Sequence, residues 1–316
     1  MRAPAGRILD LPGDLFMIRI LGAVLAGLLG LAFGSFLNVC LSRWPEGESV
    51  VKPRSHCRSC ARTLAWWENV PVVSWLALRG RCRTCGVWIG WRYPLVESLI
   101  GFFGAVAALR CISTIISEQV STNQLWEEAV AALGIMLFAW IVVALAILDA
   151  EHLWLPDWLT LPAIALGVVF KTVVAAIQNY VPANEVRLGC WDCVPPWRAA
   201  VMSLFSATFA ACLILLIRWT YWLIRRREGI GLGDAKLMAM LGAWLGLSGA
   251  LLSFGIGVVL GALFAILVLA VPAARRDSEA WLGAKLPLGT FLCIGGIISA
   301  LWGEPIINAY RRWAGL

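Results

Sequence analysis

Residues 228–255 read "EGIGLGDAKLMAMLGAWLGLSGALLSFG". Gly229, Gly231 and Gly233 lead to a single carboxylate, Asp234, and an almost uncharged apolar run follows it. That run is too apolar for the surface of a soluble domain and carries an acid at its mouth. The same character extends over the chain. Of 316 residues, 60% are hydrophobic and 14% charged, and the mean hydropathy is +0.81. Soluble domains average roughly 45–50% apolar and about 25% charged residues, so the composition is that of a polytopic membrane protein. No small-residue cleavage site follows a short apolar region, and the first apolar stretch is expected to be an anchor.

A helix needs about 20 apolar residues to cross the hydrocarbon core. Eight segments are expected to do so, near 20–40, 95–115, 129–149, 158–179, 199–223, 235–247, 249–271 and 286–303. The sixth is short, and its boundary with the seventh is weakly marked. The fold class is therefore all-α, because backbone in lipid must satisfy its own hydrogen bonds. The division expected is a tail at 1–19, a first span at 20–40, a loop domain at 41–94, a seven-helix membrane domain at 95–303 and a tail at 304–316.

Basic loops stay cytoplasmic. The first loop carries nine Lys/Arg (Arg43, Lys52, Arg54, Arg58, Arg62, Arg79, Arg81, Arg83, Arg92) against three Glu. Arg225, Arg226 and Arg227, and then Arg275, Arg276 and Lys285, fall on the same side of an eight-span chain. Arg2, Arg7 and Arg19 argue the other way, partly offset by Asp10 and Asp14. The net charge of +7 reflects topology and contact with anionic lipid. It is spread over loops without a recognisable binding module, so no nucleic-acid partner is expected. The 18 Trp suit interfacial belts.

The first loop is too long for a plain connection. It holds Cys57 and Cys60 in "CRSC", then Cys82 and Cys85 in "CRTC", with 21 residues between the pairs. Two such pairs at this spacing suit a structural zinc site of four thiolates, and a reducing cytoplasm favours metal over disulfide. Four free or redox-active thiols are the alternative. His56 reads as a neighbour of the set. Cys190 and Cys193 in "GCWDC" lie in a loop placed outside, where a local disulfide or two unpaired thiols fit equally. Cys40, Cys111, Cys212 and Cys293 read as packing residues.

Asp149 ends the third span in "LDAEHLWLPDWLTLP" and Asp234 begins the sixth, so both are expected at the cytoplasmic membrane boundary. Ionisable groups there are functional candidates. Two close carboxylates share a proton and can perform general acid–base chemistry on a peptide bond. The glycines would let an extended substrate approach the backbone closely. Against this, Asp234 stands where a helix N-cap would. Asp157 reads as such a cap, and Glu151 and His152 as interfacial.

"GIGLGD" with "LDAEHLWLPDWLTLP" resembles the GxGD membrane aspartic proteases. "GSFLNVCLSRWP" (34–45), the paired CxxC motifs, "ENVPVVSWLALRGRCRTC" (68–85) and "RYPLVES" (92–98) narrow the resemblance to bifunctional prepilin leader peptidases, over roughly residues 20–300. It implies a bacterial inner-membrane enzyme acting on type IV prepilins or type II secretion pseudopilins. Such enzymes cut the leader on the cytoplasmic face, usually after a glycine. They then methylate the new N-terminal residue, usually phenylalanine, from S-adenosylmethionine. By motif position Asp149 and Asp234 would be the catalytic pair and Cys57, Cys60, Cys82 and Cys85 the cytoplasmic cysteines. Gly231 and Gly233 are candidates to contact substrate. Gly34, Ser35 and Asn38 are candidates to line a site, while Gly30 and Gly34 also fit a helix-packing pair. The stretch "QNYVPANEVRLGCWDCVPPWRAA" (178–200) looks long for the family and sets the two aspartates 85 positions apart. A membrane thiol oxidoreductase and a proton-coupled transporter are the readings from other classes.

Overall fold

A computed structural model of the chain describes residues 12–117, 122–179, 194–227, 231–270 and 287–315. Its major elements are α1 (Pro12–Arg43), α2 (Val73–Ala77), α3 (Arg92–Ser117), α4 (Thr122–His152), α5 (Asp157–Asn179), α6 (Pro196–Arg225), α7 (Leu232–Ala270) and α8 (Leu288–Ala314). Among the described residues seven helices are long and apolar enough to cross a membrane. The difference from eight lies in α7. The expected sixth and seventh spans form one helical run whose backbone leaves helical geometry at Gly246, with φ 75° and ψ 177°. Before that residue the run rises roughly 21 Å.

The chain separates into two compact units, residues 1–140 and 141–316. In the first, α1 and α3 run antiparallel at very short separation. A Cβ on Gly30 would lie 2.6 Å from the Ile100 carbonyl oxygen, and one on Gly34 would lie 2.7 Å from Glu97 Cα. Small residues are what permit such approach between apolar helices. Gly34 therefore has a packing role in α1. The Trp140 indole donates to the Phe33 carbonyl at 3.3 Å, and Trp44 meets Trp140 edge to face at 5.9 Å. Between α1 and α3 the polypeptide forms a small module with no strand longer than an isolated bridge.

In the second unit, α8 is the central ruler. Leu241, in the first half of α7, packs on Gly296, whereas Gly257 packs on Leu292 and Phe264 on Phe291 at 5.5 Å. The first half of α7 thus runs with α8, and the second half runs back against it. Trp244 fixes the end of the first half. Its indole donates to the Ala163 carbonyl at 2.8 Å and stacks on Phe170 at 5.2 Å, while Ser203 of α6 donates to the Ala243 carbonyl at 2.9 Å.

Candidate active site and cysteine cluster

Asp149 stands one turn before the end of α4. Leu153, in left-handed conformation with φ 49°, closes that helix by donating to the Asp149 carbonyl at 2.9 Å. The chain then turns so that Leu155 packs between two glycines. A Cβ on Gly233 would lie 3.1 Å from Leu155 Cβ, and a Cβ on Gly289 would lie 3.2 Å from Leu155 Cδ1 and 2.9 Å from Asp149 Cγ. Leu155 therefore ties the start of α7, which carries Asp234, to the start of α8, which faces Asp149.

Both acids are buried, Asp149 at 6% and Asp234 at 9% exposure, and they lie within electrostatic range of one another. The Thr290 N–H donates to Asp149 Oδ2 at 2.6 Å. The Thr290 hydroxyl reaches the same oxygen at 3.1 Å and the Ala146 carbonyl at 3.0 Å, and its one proton serves one of them at a time. Asp234 Oδ2 accepts the Gly231 N–H at 3.1 Å. Asp234 is thus the third residue of α7, reaching back to a free N–H of the helix entry. Gly231 supplies that N–H and Gly233 the space for Leu155. Cys293, fully buried one turn beyond Gly289, lies within range of both carboxylates. Neighbouring acids are engaged elsewhere: Asp157 pairs with Lys236 at 2.6 Å, and Glu151 and His152 are exposed and 3.9 Å apart.

Gly289 and Thr290 escaped the sequence reading, because "LPLGT" carries no ionisable group. The available signal was a helix start, with its free N–H groups, directly after a basic loop.

The four loop thiols converge in the first unit. The Sγ atoms of Cys57, Cys60, Cys82 and Cys85 all lie within 4.8 Å of one another, and Cys57 and Cys85 are 3.8 Å apart. Tetrahedral zinc with bonds of about 2.3 Å sets sulfurs about 3.8 Å apart, so the donor set fits that ion. The two halves of the cluster repeat one turn. Cys57 N donates to the Arg62 carbonyl and Cys82 N to the Val87 carbonyl, each at 2.9 Å. Ala61 and Gly86 then take the same left-handed position, at φ 55° and 70°, and single bridges join His56 to Thr63 and Arg81 to Trp88. N–H groups of Cys85 and Thr84 pointing at Cys82 pull that thiol down to about 6. Cys60 receives the Arg62 N–H, but burial and the surrounding thiols push it up to about 11. Beside the cluster, buried Glu68 is held below the usual carboxylate range by Arg62 at 2.6 Å and by the Ala65 N–H at 2.8 Å. Cys190 and Cys193 lie outside the described residues.

Buried paired carboxylates at helix ends in a polytopic helical chain, with a four-thiolate module in its first long loop, define an intramembrane protein equipped for acid–base chemistry. Two family models match the chain: "Bacterial Peptidase A24 N-terminal domain" over residues 28–111 and "Type IV leader peptidase family" over residues 136–266. Three similar proteins each bear the name prepilin leader peptidase/N-methyltransferase. One, from Pseudomonas aeruginosa, is 32% identical over 91% of this chain and 93% of its own length. Another, from Pseudomonas putida, is 33% identical over 92% and 94%. The third, from Xanthomonas campestris pv. campestris, is 31% identical over 94% and 96%. The chain belongs to the type IV leader peptidase family. No solved structure matches it significantly.

Proposed function

We propose that this protein removes the leader of type IV prepilins or type II secretion pseudopilins and then methylates the new N-terminal amine. It does so in the bacterial inner membrane, with its site toward the cytoplasm. The observation that carries the proteolytic half is the pair Asp149 and Asp234, buried and within range of one another. Family membership supports both halves and gives no support to an oxidoreductase or a transporter.

In this reading the dyad holds one proton and a water. Asp149, whose Oδ2 has the Thr290 N–H and hydroxyl in reach, is the better furnished to hold negative charge and acts as base. It takes a proton from the water, whose oxygen bonds to the peptide carbonyl carbon. Asp234 gives its proton to the carbonyl oxygen. The tetrahedral species then collapses: the C–N bond breaks, Asp149 returns its proton to the nitrogen, and Asp234 recovers its own from the hydroxyl. Gly231 and Gly233 border Asp234 and are candidate substrate contacts.

Residues 41–94 form the transferase-associated module and 95–303 the protease body. Cys57, Cys60, Cys82 and Cys85 would hold a structural zinc ion. With all four positions taken by thiolate, such a site is closed to substrate. S-adenosylmethionine, when bound, supplies the methyl group. Asp149→Asn and Asp234→Asn are each expected to lower prepilin cleavage by about 10³-fold or more, with the protein still inserted. Mass spectrometry of the substrate N-terminus reads this, and cleavage by either variant at the parent rate removes that residue from the dyad. Metal analysis finding no zinc in the purified protein would overturn the metal assignment.

A further inference from the structure

The loop module and the cytoplasmic ends of α1 and α3 enclose a cavity of about 340 Å³, a size within the range of small-molecule sites. Its least ordinary wall is Glu97 of α3, 7% exposed. Glu97 accepts the Val72 N–H at 2.7 Å, and the side chains of Ser35 and Asn38 lie beside it. All these partners are neutral. The basic residues nearby are engaged: Arg43 with the carbonyls of Ser49 and Pro53 at 2.8 and 2.7 Å, Arg58 with Glu46 at 2.8 Å, Arg62 with Glu68 and Arg83 over the Trp67 ring at 5.1 Å. A buried carboxylate without a counter-charge is costly and favours a cationic ligand.

Asn38 points the same way. It is 2% exposed, it donates to the Tyr93 carbonyl at 3.0 Å, and its Oδ1 has no hydrogen-bond partner. A buried acceptor left unmade costs about 1–3 kcal/mol, so this oxygen awaits a donor. The same cavity is lined by Trp75 and Trp88, edge to face at 5.6 Å, with Trp75 fixed by its indole on the Ile89 carbonyl at 2.9 Å. Aromatic faces suit both a purine ring and a cation. The backbone is strained at the same place. Val72, β-branched, has φ 59° and ψ −48°, and Val73 N–H closes a three-residue turn on the Pro71 carbonyl at 2.6 Å. Such strain gathers at ligand sites.

A second cavity of about 500 Å³ adjoins the first and shares Ser35, Val39, Arg43, Ser55, Leu64 and Asn69 with it; its other walls include Phe36, Val51, Arg54 and Trp66. The first cavity has Glu97 and two tryptophans in its wall, its neighbour mixes apolar with polar side chains, and group transfer requires its two reactants side by side.

We propose that the cavity beside Glu97 binds S-adenosylmethionine, with Glu97 and Asn38 Oδ1 holding its cationic end against Trp75 and Trp88. The adjoining cavity takes the N-terminal side chain of the amine acceptor against Phe36, Val51 and Trp66. This assignment rests on the methyltransferase reading above. The acceptor ammonium first gives a proton to water. Its nitrogen lone pair then bonds to the methyl carbon, and the carbon–sulfur bond breaks with its electron pair left on sulfur, yielding the neutral thioether S-adenosylhomocysteine. Glu97 is a binding group, offsetting charge that disappears as the thioether forms.

The test uses the full chain in detergent, titrated with S-adenosylmethionine by calorimetry and assayed for methyl addition to cleaved prepilin. Glu97→Gln and Asn38→Leu are each expected to weaken binding at least tenfold, and Asn38→Asp, which keeps the acceptor oxygen, to bind at least as well as the parent. Circular dichroism and gel filtration check folding. Should Glu97→Gln misfold for want of its grip on Val72, the Asn38 pair decides. Parent-like binding by Glu97→Gln and Asn38→Leu overturns the assignment. A parent protein that neither binds S-adenosylmethionine nor methylates overturns the methyltransferase reading itself.

Discussion

At Asp149 one carboxylate oxygen gathers the local donors: the Thr290 N–H at 2.6 Å and, in reach at 3.1 Å, the Thr290 hydroxyl. Asp234 has the Gly231 N–H. The difference gives Thr290 a positioning role that can be measured. Thr290→Val keeps the shape and the N–H but removes the hydroxyl, and a hydrogen bond to a charged group is worth roughly 1.5–3 kcal/mol. The hydroxyl is shared with the Ala146 carbonyl, so the low end applies, and kcat for prepilin cleavage is expected to fall about tenfold with KM unchanged. Thr290→Ser should restore the rate. A Thr290→Val enzyme at full rate would show that the hydroxyl serves Ala146 alone. The acids were legible in the sequence because a carboxylate in an apolar run needs a reason. The purpose of the glycines was legible only in part. From sequence they read as room for an extended substrate, whereas in the structure Gly233 makes room for Leu155, as does Gly289 for Leu155 and Asp149. That reason depends on which side chain arrives from another helix, and no local pattern records it.

The element that most shapes the site is α7. The sequence marks the boundary of two spans only weakly, by the shortness of the first. The structure puts the break at Gly246, at φ 75° and ψ 177°. That region is open essentially to glycine alone. Nothing lies within 4 Å of a Cβ built there, so a side chain would meet backbone strain without a clash. Gly246→Ala is therefore expected to cost about 1–3 kcal/mol, seen as a lower midpoint of thermal unfolding. Gly255 provides the contrast. It also has open space around its Cβ, and it lies within the second half of α7. Gly255→Ala should be neutral or stabilising by up to about 1 kcal/mol. Equal effects from both substitutions would mean that the break at Gly246 contributes nothing to stability. By contrast, the paired cysteine motifs announced their own geometry. The spacing within each pair fixes a turn, and the two turns repeat with the same bonds and the same left-handed residue.

Across the whole molecule, sidedness follows from counting crossings, and the second unit supplies a check on the count. Thr290 at the start of α8 bonds Asp149 at the end of α4, and Leu155 joins both to Gly233 at the start of α7. The beginnings of α7 and α8 therefore lie at one membrane face. The connection from one to the other must go across and return, so α7 makes two crossings: a short one before Gly246 and a full one after it. Apolar length alone cannot give this result, because the run counts as one span despite its break at Gly246. The even count agrees with the sidedness expected from basic-residue asymmetry. Reporter enzymes active only inside or only outside the inner membrane test the arrangement when fused after Gly90, after Glu185 and after Asp277. The inside reporter is expected to be active after Gly90 and Asp277, and the outside reporter after Glu185. Activity of the outside reporter after Asp277 would mean a single crossing by α7 and would break the contact between α8 and Asp149. Reversal at all three positions would turn Asp149 and Asp234 to the outer face and overturn the cytoplasmic orientation proposed for the site.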